Sequence, residues 1–144
     1  ELVVKREGRK TSLLTTVDTD STECSVEVFL IRQVFRNILD NSLAACDDPV
    51  EIDAHFADAT LTRRPALAIS IRDNGPGLSA EARDQVFEEF FTTKTHGTGL
   101  GLAIVHRLIS VHDGTIAIDP EAESGFALKI VIPRQTFGTE QTQM

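Results

Sequence analysis

Leu67, Ile69, Ile71 and Asp73 recur with strict period 2 and run straight into Asn74-Gly75-Pro76-Gly77. Side chains two apart on a strand share a face, so three apolar residues and one carboxylate stand in a row. The apolar members predict a buried face. A carboxylate at the end of such a face is costly unless hydrogen-bond donors reach it. Glycines two and four places on strip away side chains beside it and open the spot to a flat ring. An ionised carboxylate only accepts hydrogen bonds. It suits an exocyclic amine such as adenine's and refuses the oxygen that guanine carries there. Asn-Gly and Pro-Gly are also turn dipeptides, and residues 73–77 taken alone fit a plain turn equally well.

A second glycine motif shifts that balance. Gly97, Gly99 and Gly101 alternate, and Leu100, Ala103, Ile104, Leu108 and Val111 then follow at helical spacing. Glycines ahead of a helix expose its unpaired N–H groups, where the helix dipole adds partial positive charge. That is a seat for phosphates. No Lys-Ser/Thr follows the last glycine, so it is not a Walker loop. No βαβ unit surrounds it, so it is not a dinucleotide fingerprint. With Asp73 it describes a nucleotide pocket: a carboxylate for the base and N–H groups for the phosphates.

A chain of 144 residues with a formal charge of −8 and no long apolar run fits one globular domain with its own core. The charge argues against a general nucleic-acid binder and gives no help toward an anionic membrane. No transmembrane helix or signal peptide is evident. The first residue is Glu1 rather than Met, which reads as a piece of a longer protein. Cys24 and Cys46 lack metal spacing and read as reduced thiols of a cytosolic protein.

In order, residues 2–6 and 12–18 read as two short strands around the turn Glu7–Lys10, followed by a polar loop to Cys24. A helix is expected from about Val26 to Cys46, capped by Ser25 and stopped by Asp47-Asp48-Pro49. Its apolar stripe includes Leu30, Ile31, Val34, Phe35, Ile38 and Leu39. Val50 to Phe56 alternates as a strand, Asp58 to Pro65 reads as a turn, and Ala66 to Asp73 as the next strand. Ser79 opens a helix to about Phe87. Phe87, Phe90 and Phe91 then anchor a polar tether, Thr92 to His96, in the manner of a mobile lid. The helix from Gly99 to Val111 precedes strands at Thr115–Asp119 and Phe126–Ile132. The expected fold is a two-layer α/β sandwich over 1–133, with a polar tail from 134 to 144 expected to be disordered.

Asn37 and Asn41 lie one turn apart at the edge of the first helix's stripe. Asparagine is a poor mid-helix residue. Two amide oxygens on one side are hard neutral ligands of the kind Mg²⁺ takes beside phosphates. Taken alone, the pair fits hydrogen bonding to backbone or solvent better. Lys94 has the reach to meet a phosphate, and a solvated lysine fits it as well.

Four stretches in one order carry a resemblance. Gln33-Val-Phe-Arg-Asn-Ile-Leu-Asp-Asn-Ser resembles the N box of histidine-kinase ATP-binding domains, and Asp73-Asn-Gly-Pro-Gly their G1 box. Phe87-Glu-Glu-Phe-Phe-Thr-Thr-Lys resembles the F box of the nitrogen-regulatory type of sensor kinase, and Gly97-Thr-Gly-Leu-Gly-Leu the G2 box. The resemblance implies the Bergerat fold of the GHKL ATPases: a mixed, mostly antiparallel sheet with helices on one face and an ATP lid. It implies that Asp73 binds the adenine amine, with Gly75 and Gly77 shaping the base pocket. It implies Asn41 as the Mg²⁺ ligand, assisted by Asn37. Phosphate contacts fall to Lys94, Thr98 and the backbone of Gly99, Leu100, Gly101 and Leu102. Many members carry a basic residue three places after the second asparagine, where this sequence has Ala44.

The implied function is the ATP-binding catalytic domain of a two-component sensor histidine kinase. The γ-phosphoryl would go to a histidine on a dimerisation domain and onward to a response regulator. None of His55, His96, His106 or His112 sits in a phosphoacceptor pattern, so the piece is expected to bind ATP without phosphorylating itself, and to be monomeric. The chaperone, topoisomerase and mismatch-repair relatives place a glutamate base four residues before the metal asparagine. That position is Asn37 here, which argues for transfer over hydrolysis. A serine kinase that sequesters a sigma factor shares the boxes; such proteins are small and complete, and the start at Glu1 argues against it. A degenerate nucleotide binder is disfavoured by the intact boxes.

Overall fold

Alternating apolar residues at Val50, Ile52, Ala54 and Phe56 do form a strand, in the middle of a six-stranded sheet. The structure, a computed structural model, describes residues 2–6 (as backbone), 9–88, 101–119 and 125–135. Its strands are β1 (Leu2–Arg6), β2 (Arg9–Asp18), β3 (Val50–Leu61), β4 (Arg64–Asp73), β5 (Thr115–Ile118) and β6 (Ala127–Pro133). Its helices are α1 (Val28–Ala45), α2 (Ala80–Gln85) and α3 (Gly101–Val111). The strand order is β1-β2-β3-β4-β6-β5. Only β2 and β3 pair parallel, as α1 between them allows, and every other pairing is antiparallel.

Register turns the period-2 rows into one continuous apolar surface. Ile69 stands between Phe56 and Ile130, and Ile130 stands beside Ile116. Ile71 lies between Ala54 and Leu128, and Asp73 opposite Ile52. Helix α1 covers this surface with buried Val34, Ile38 and Ser42, and α3 with Val105 and Ile109. Each isoleucine or leucine enclosed here contributes about 1.5–3 kcal/mol of transfer free energy. The two-layer α/β sandwich expected from sequence is therefore the observed fold.

Three local expectations are corrected. Helix α1 starts at Val28, with Glu27 as its N-cap and no side-chain capping bond. Ser25 lies two residues before that cap, and its N–H donates to the Arg134 carbonyl at 2.8 Å, holding residue 25 against the end of β6. The turn expected at 58–65 is only Thr62 and Arg63, both at positive φ (54° and 64°). Asp58 pairs with Leu67 and Leu61 with Arg64, so both strands run to the turn. The right-handed twist of the flanking strands selects this turn geometry even without glycine. The first strand pair is longer than expected, with β2 starting at Arg9.

Other boundaries stand close to expectation. Ser79 caps α2, its hydroxyl accepting the Ala82 N–H at 3.1 Å. Helix α2 ends at Gln85, short of Phe87. Beyond β6, Arg134 donates to the Ser21 and Glu23 carbonyls and to Asp58. Phe90, Phe91, the tether 92–96 and the tail 136–144 lie outside the described residues.

Candidate functional site

Asp73 ends the apolar row of β4 and is 4% exposed. Its carboxylate is held by donors from three directions. Oδ1 accepts the N–H of Gly75 and that of Phe126, both at 3.0 Å. Oδ2 accepts the Ser42 hydroxyl at 2.8 Å. A carboxylate has about four lone-pair sites, and the fourth is met only by a weak donor, the Cys46 thiol, which hydrogen-bonds Asp73. Burial first, then the Asp73 carboxylate beside it, push that thiol up to about 11. A protonated thiol is a weak donor that yields to a better one.

The backbone closes around this carboxylate too tightly for side chains. A Cβ on Gly75 would lie 2.7 Å from Cys46 Sγ and 3.1 Å from Asp73 Oδ1. Gly125 has φ +79°, and a Cβ there would lie 1.9 Å from the Asp73 carbonyl oxygen. Ser42, Cys46, Gly125 and Phe126 thus belong to the site, and the sequence reading did not assign them. Ser42 had a usable signal: a serine one residue past Asn41 on the stripe side of the helix. Phe126 acts through its N–H, which leaves no mark in side-chain patterns. Asn74, beside the carboxylate, accepts the Glu51 N–H at Oδ1 and donates from Nδ2 to the Pro49 carbonyl, both at 2.9 Å.

Asn37 and Asn41 are half-buried on the same helix that carries Ser42. Asn37 Nδ2 is buried with no hydrogen-bond partner among the described residues. A buried amide without a partner carries a desolvation cost of about 1–3 kcal/mol, a cost that a polar ligand at this edge would remove. At the start of α3, Gly101 is exposed, and a Cβ there would meet nothing within 4 Å. Leu102 packs against the core beside it. Helices α1 and α3 pack together, so the asparagine edge and the first turn of α3 share one layer. The structure therefore brings Asp73, Gly75, Ser42 and Cys46 together. Gly77, at φ +75°, packs on Gly125 behind them. Lys94, Thr98, Gly99 and Leu100 lie outside the described residues.

These features fit a nucleotide: an acceptor held ready over an apolar floor, an unsatisfied amide on the adjoining helix, and an uncluttered helix start. Among the described residues no group of three His, Cys, Asp or Glu is placed to hold a metal. Amide oxygens such as those of Asn37 and Asn41 remain suitable ligands for an ion that arrives with phosphates. Among the described residues no helix is long and apolar enough to cross a membrane.

None of the described histidines is placed at this site as a chemical group. His55 pairs with Asp18 at the surface. The ring of His106 lies 5.3 Å from that of Phe87. His112 is buried: Nδ1 bonds the Leu108 carbonyl at 2.7 Å and Nε2 accepts the Glu27 N–H at 3.1 Å. It joins the end of α3 to the start of α1.

Residues 26–136 match the family model described as histidine kinase-, DNA gyrase B-, and HSP90-like ATPase. Sporulation kinase A of Bacillus subtilis is 29% identical over 121 residues, 84% of this chain and 19% of its own length. The signal transduction histidine-protein kinase AtoS of Escherichia coli is 30% identical over 131 residues, 91% of this chain and 21% of its own length. The chain spans about a fifth of the length of these two relatives. Among solved structures, a nucleotide-free form of the catalytic domain of histidine kinase ThkA superposes with a TM-score of 0.75 at 28% identity, covering 88% of this chain and 80% of that one.

Proposed function

The chain belongs to the histidine kinase-, DNA gyrase B-, and HSP90-like ATPases, and from that premise we propose that it is the ATP-binding catalytic domain of a sensor histidine kinase. The observation that carries the reading is the buried Asp73 carboxylate, held by three firm donors and met at its remaining acceptor site only by the weak Cys46 thiol. That site takes a donor, and adenine's amine is one where guanine offers an oxygen. Gly75 and Gly77 shape the space for the base. Asn41, assisted by Asn37, would hold Mg²⁺, and Lys94, Thr98 and the backbone of Gly99 to Leu102 would hold phosphates. When bound, ATP supplies the γ-phosphoryl group and Mg²⁺ neutralises charge on the phosphates. The chain's own share is positioning and electrostatics.

Transfer rather than hydrolysis is favoured at Asn37. It stands where a hydrolytic relative would carry a glutamate base, and an amide cannot take a proton from water. The acceptor would be a histidine on a dimerisation domain of the parent protein, with a response-regulator receiver domain next. The stretch Phe87 to Lys94 supports the nitrogen-regulatory type of sensor kinase. We place the domain in the cytoplasm and expect it to be monomeric by itself. The test is calorimetric titration with non-hydrolysable ATP and GTP analogues, each with and without Mg²⁺. Adenine-selective, Mg²⁺-dependent binding is the expected result. Equal affinity for both bases would overturn the role of Asp73.

A further inference from the structure

Helix α1 ends without the usual devices. It has no basic residue in its last turn, and Cys46 at its C-cap is extended rather than left-handed. The carbonyls of the last turn lack partners within the helix. Arg9 supplies them from another element. From the first residue of β2, its Nη1 donates to the Leu43 carbonyl at 2.8 Å and its Nη2 to the Cys46 carbonyl at 2.7 Å. Its Nε donates to Asp48 Oδ1 at 2.6 Å, while the Lys10 N–H reaches Asp48 Oδ2 at 3.3 Å. The planar fork of a guanidinium meets such a set of acceptors, and a lysine ammonium cannot reproduce it.

The segment Arg9 holds is the wall of the base pocket. Cys46 Sγ stands against Gly75, and Ser42 of the same turn donates to Asp73 Oδ2. From the pocket side, Asn74 grips the same loop through the Pro49 carbonyl and the Glu51 N–H. Arg9 thus holds the last turn of α1 itself, while Asn74 holds the chain that follows it, at Pro49 and Glu51. Asn37 lies more than a turn away on α1, and the phosphate seat lies on α3.

We propose that Arg9 is a positioning residue for base recognition: by clamping the last turn of α1 to β2 it fixes Ser42 and Cys46 against Asp73 and Gly75. The inference rests on the nucleotide reading given above. Its prediction is specific to the base. Loss of Arg9 erodes preference for adenine and leaves phosphate affinity alone.

Arg9→Ala and Arg9→Lys would be titrated with the non-hydrolysable ATP analogue, the GTP analogue and inorganic tripolyphosphate. Arg134→Ala is the control. Arg134 also ties loop carbonyls to the sheet, but it does so near Asp18, at the other end of β2, roughly 30 Å along the strand. Both Arg9 variants are expected to lose about tenfold of the ATP-over-GTP preference, equivalent to about 1.4 kcal/mol of binding free energy. Tripolyphosphate affinity should be unchanged, and Arg134→Ala should keep the preference despite a lowered Tm. Hydrogen exchange in residues 43–46 should quicken in the Arg9 variants only. Arg9→Lys, which keeps the charge, decides the matter if Arg9→Ala does not fold. Adenine preference retained in Arg9→Lys, or lost equally in Arg134→Ala, would overturn the proposal. If the parent protein shows no adenine preference, the nucleotide reading itself falls, and that outcome is visible before any variant is compared.

Discussion

Asp73 illustrates how one side chain acquires a task. Two backbone N–H groups and one hydroxyl fix both oxygens, so the carboxylate does not rotate freely. In Asp73→Asn, the amide keeps the two bonds at Oδ1 and turns its NH₂ toward the open side. Two donors then face each other where adenine would bind, and affinity for the ATP analogue should fall about 100-fold or more by calorimetry. Asn41→Ala should remove the Mg²⁺ dependence of that binding, read as equal titrations with and without the ion. Cys46 gives a pH signature. Its folded pKa is raised from 9.0 to about 11, so its contribution to stability is complete below 9 and disappears as pH climbs through about 11. Cys46→Ala should flatten the fall in stability between those values, measured by urea unfolding at each pH.

At the scale of elements, the sheet's regularity depends on a turn that its own residues do not favour. Thr62 and Arg63 both occupy the left-handed region, where a side chain costs about 1–2 kcal/mol per residue. The double change Thr62→Asn with Arg63→Gly supplies the preferred residues for this hairpin. It should raise unfolding stability by roughly 1 kcal/mol without altering nucleotide affinity. Asp58 and Pro65, both depleted in strands, bound the stretch read from sequence as a turn. In the sheet, pairing with β4 outweighs those local preferences. The start of α1 was misplaced for a related reason. Ser25 is a good local cap type, but the chain entering α1 is held by long-range bonds, the Ser25 N–H to Arg134 and the Glu27 N–H to His112, and the helix starts after them. Long-range bonds of this kind carry no local sequence signal.

The described residues form one layer of helices on one sheet, with Asp73 where the end of β4 meets the last turns of α1. Such a domain should be stabilised by any ligand that binds only the folded form. At an ATP-analogue concentration 100 times its Kd the gain is about 2.7 kcal/mol. A matched concentration of the GTP analogue should leave Tm nearly unmoved, and equal shifts would count against base recognition. Period-2 and helical spacing alone determined the element order, the buried faces and the position of Asp73, because burial follows from hydrophobic pattern along the chain. Spacing also put Asn37 and Asn41 on one side of one helix. Only the tertiary structure decided what surrounds the carboxylate: Ser42 and Cys46 from α1, the Phe126 N–H from beside β6, and the close seat of Gly125. Those partners are distant in sequence from Asp73, two of them act through backbone, and only the register of the sheet brings them to one point.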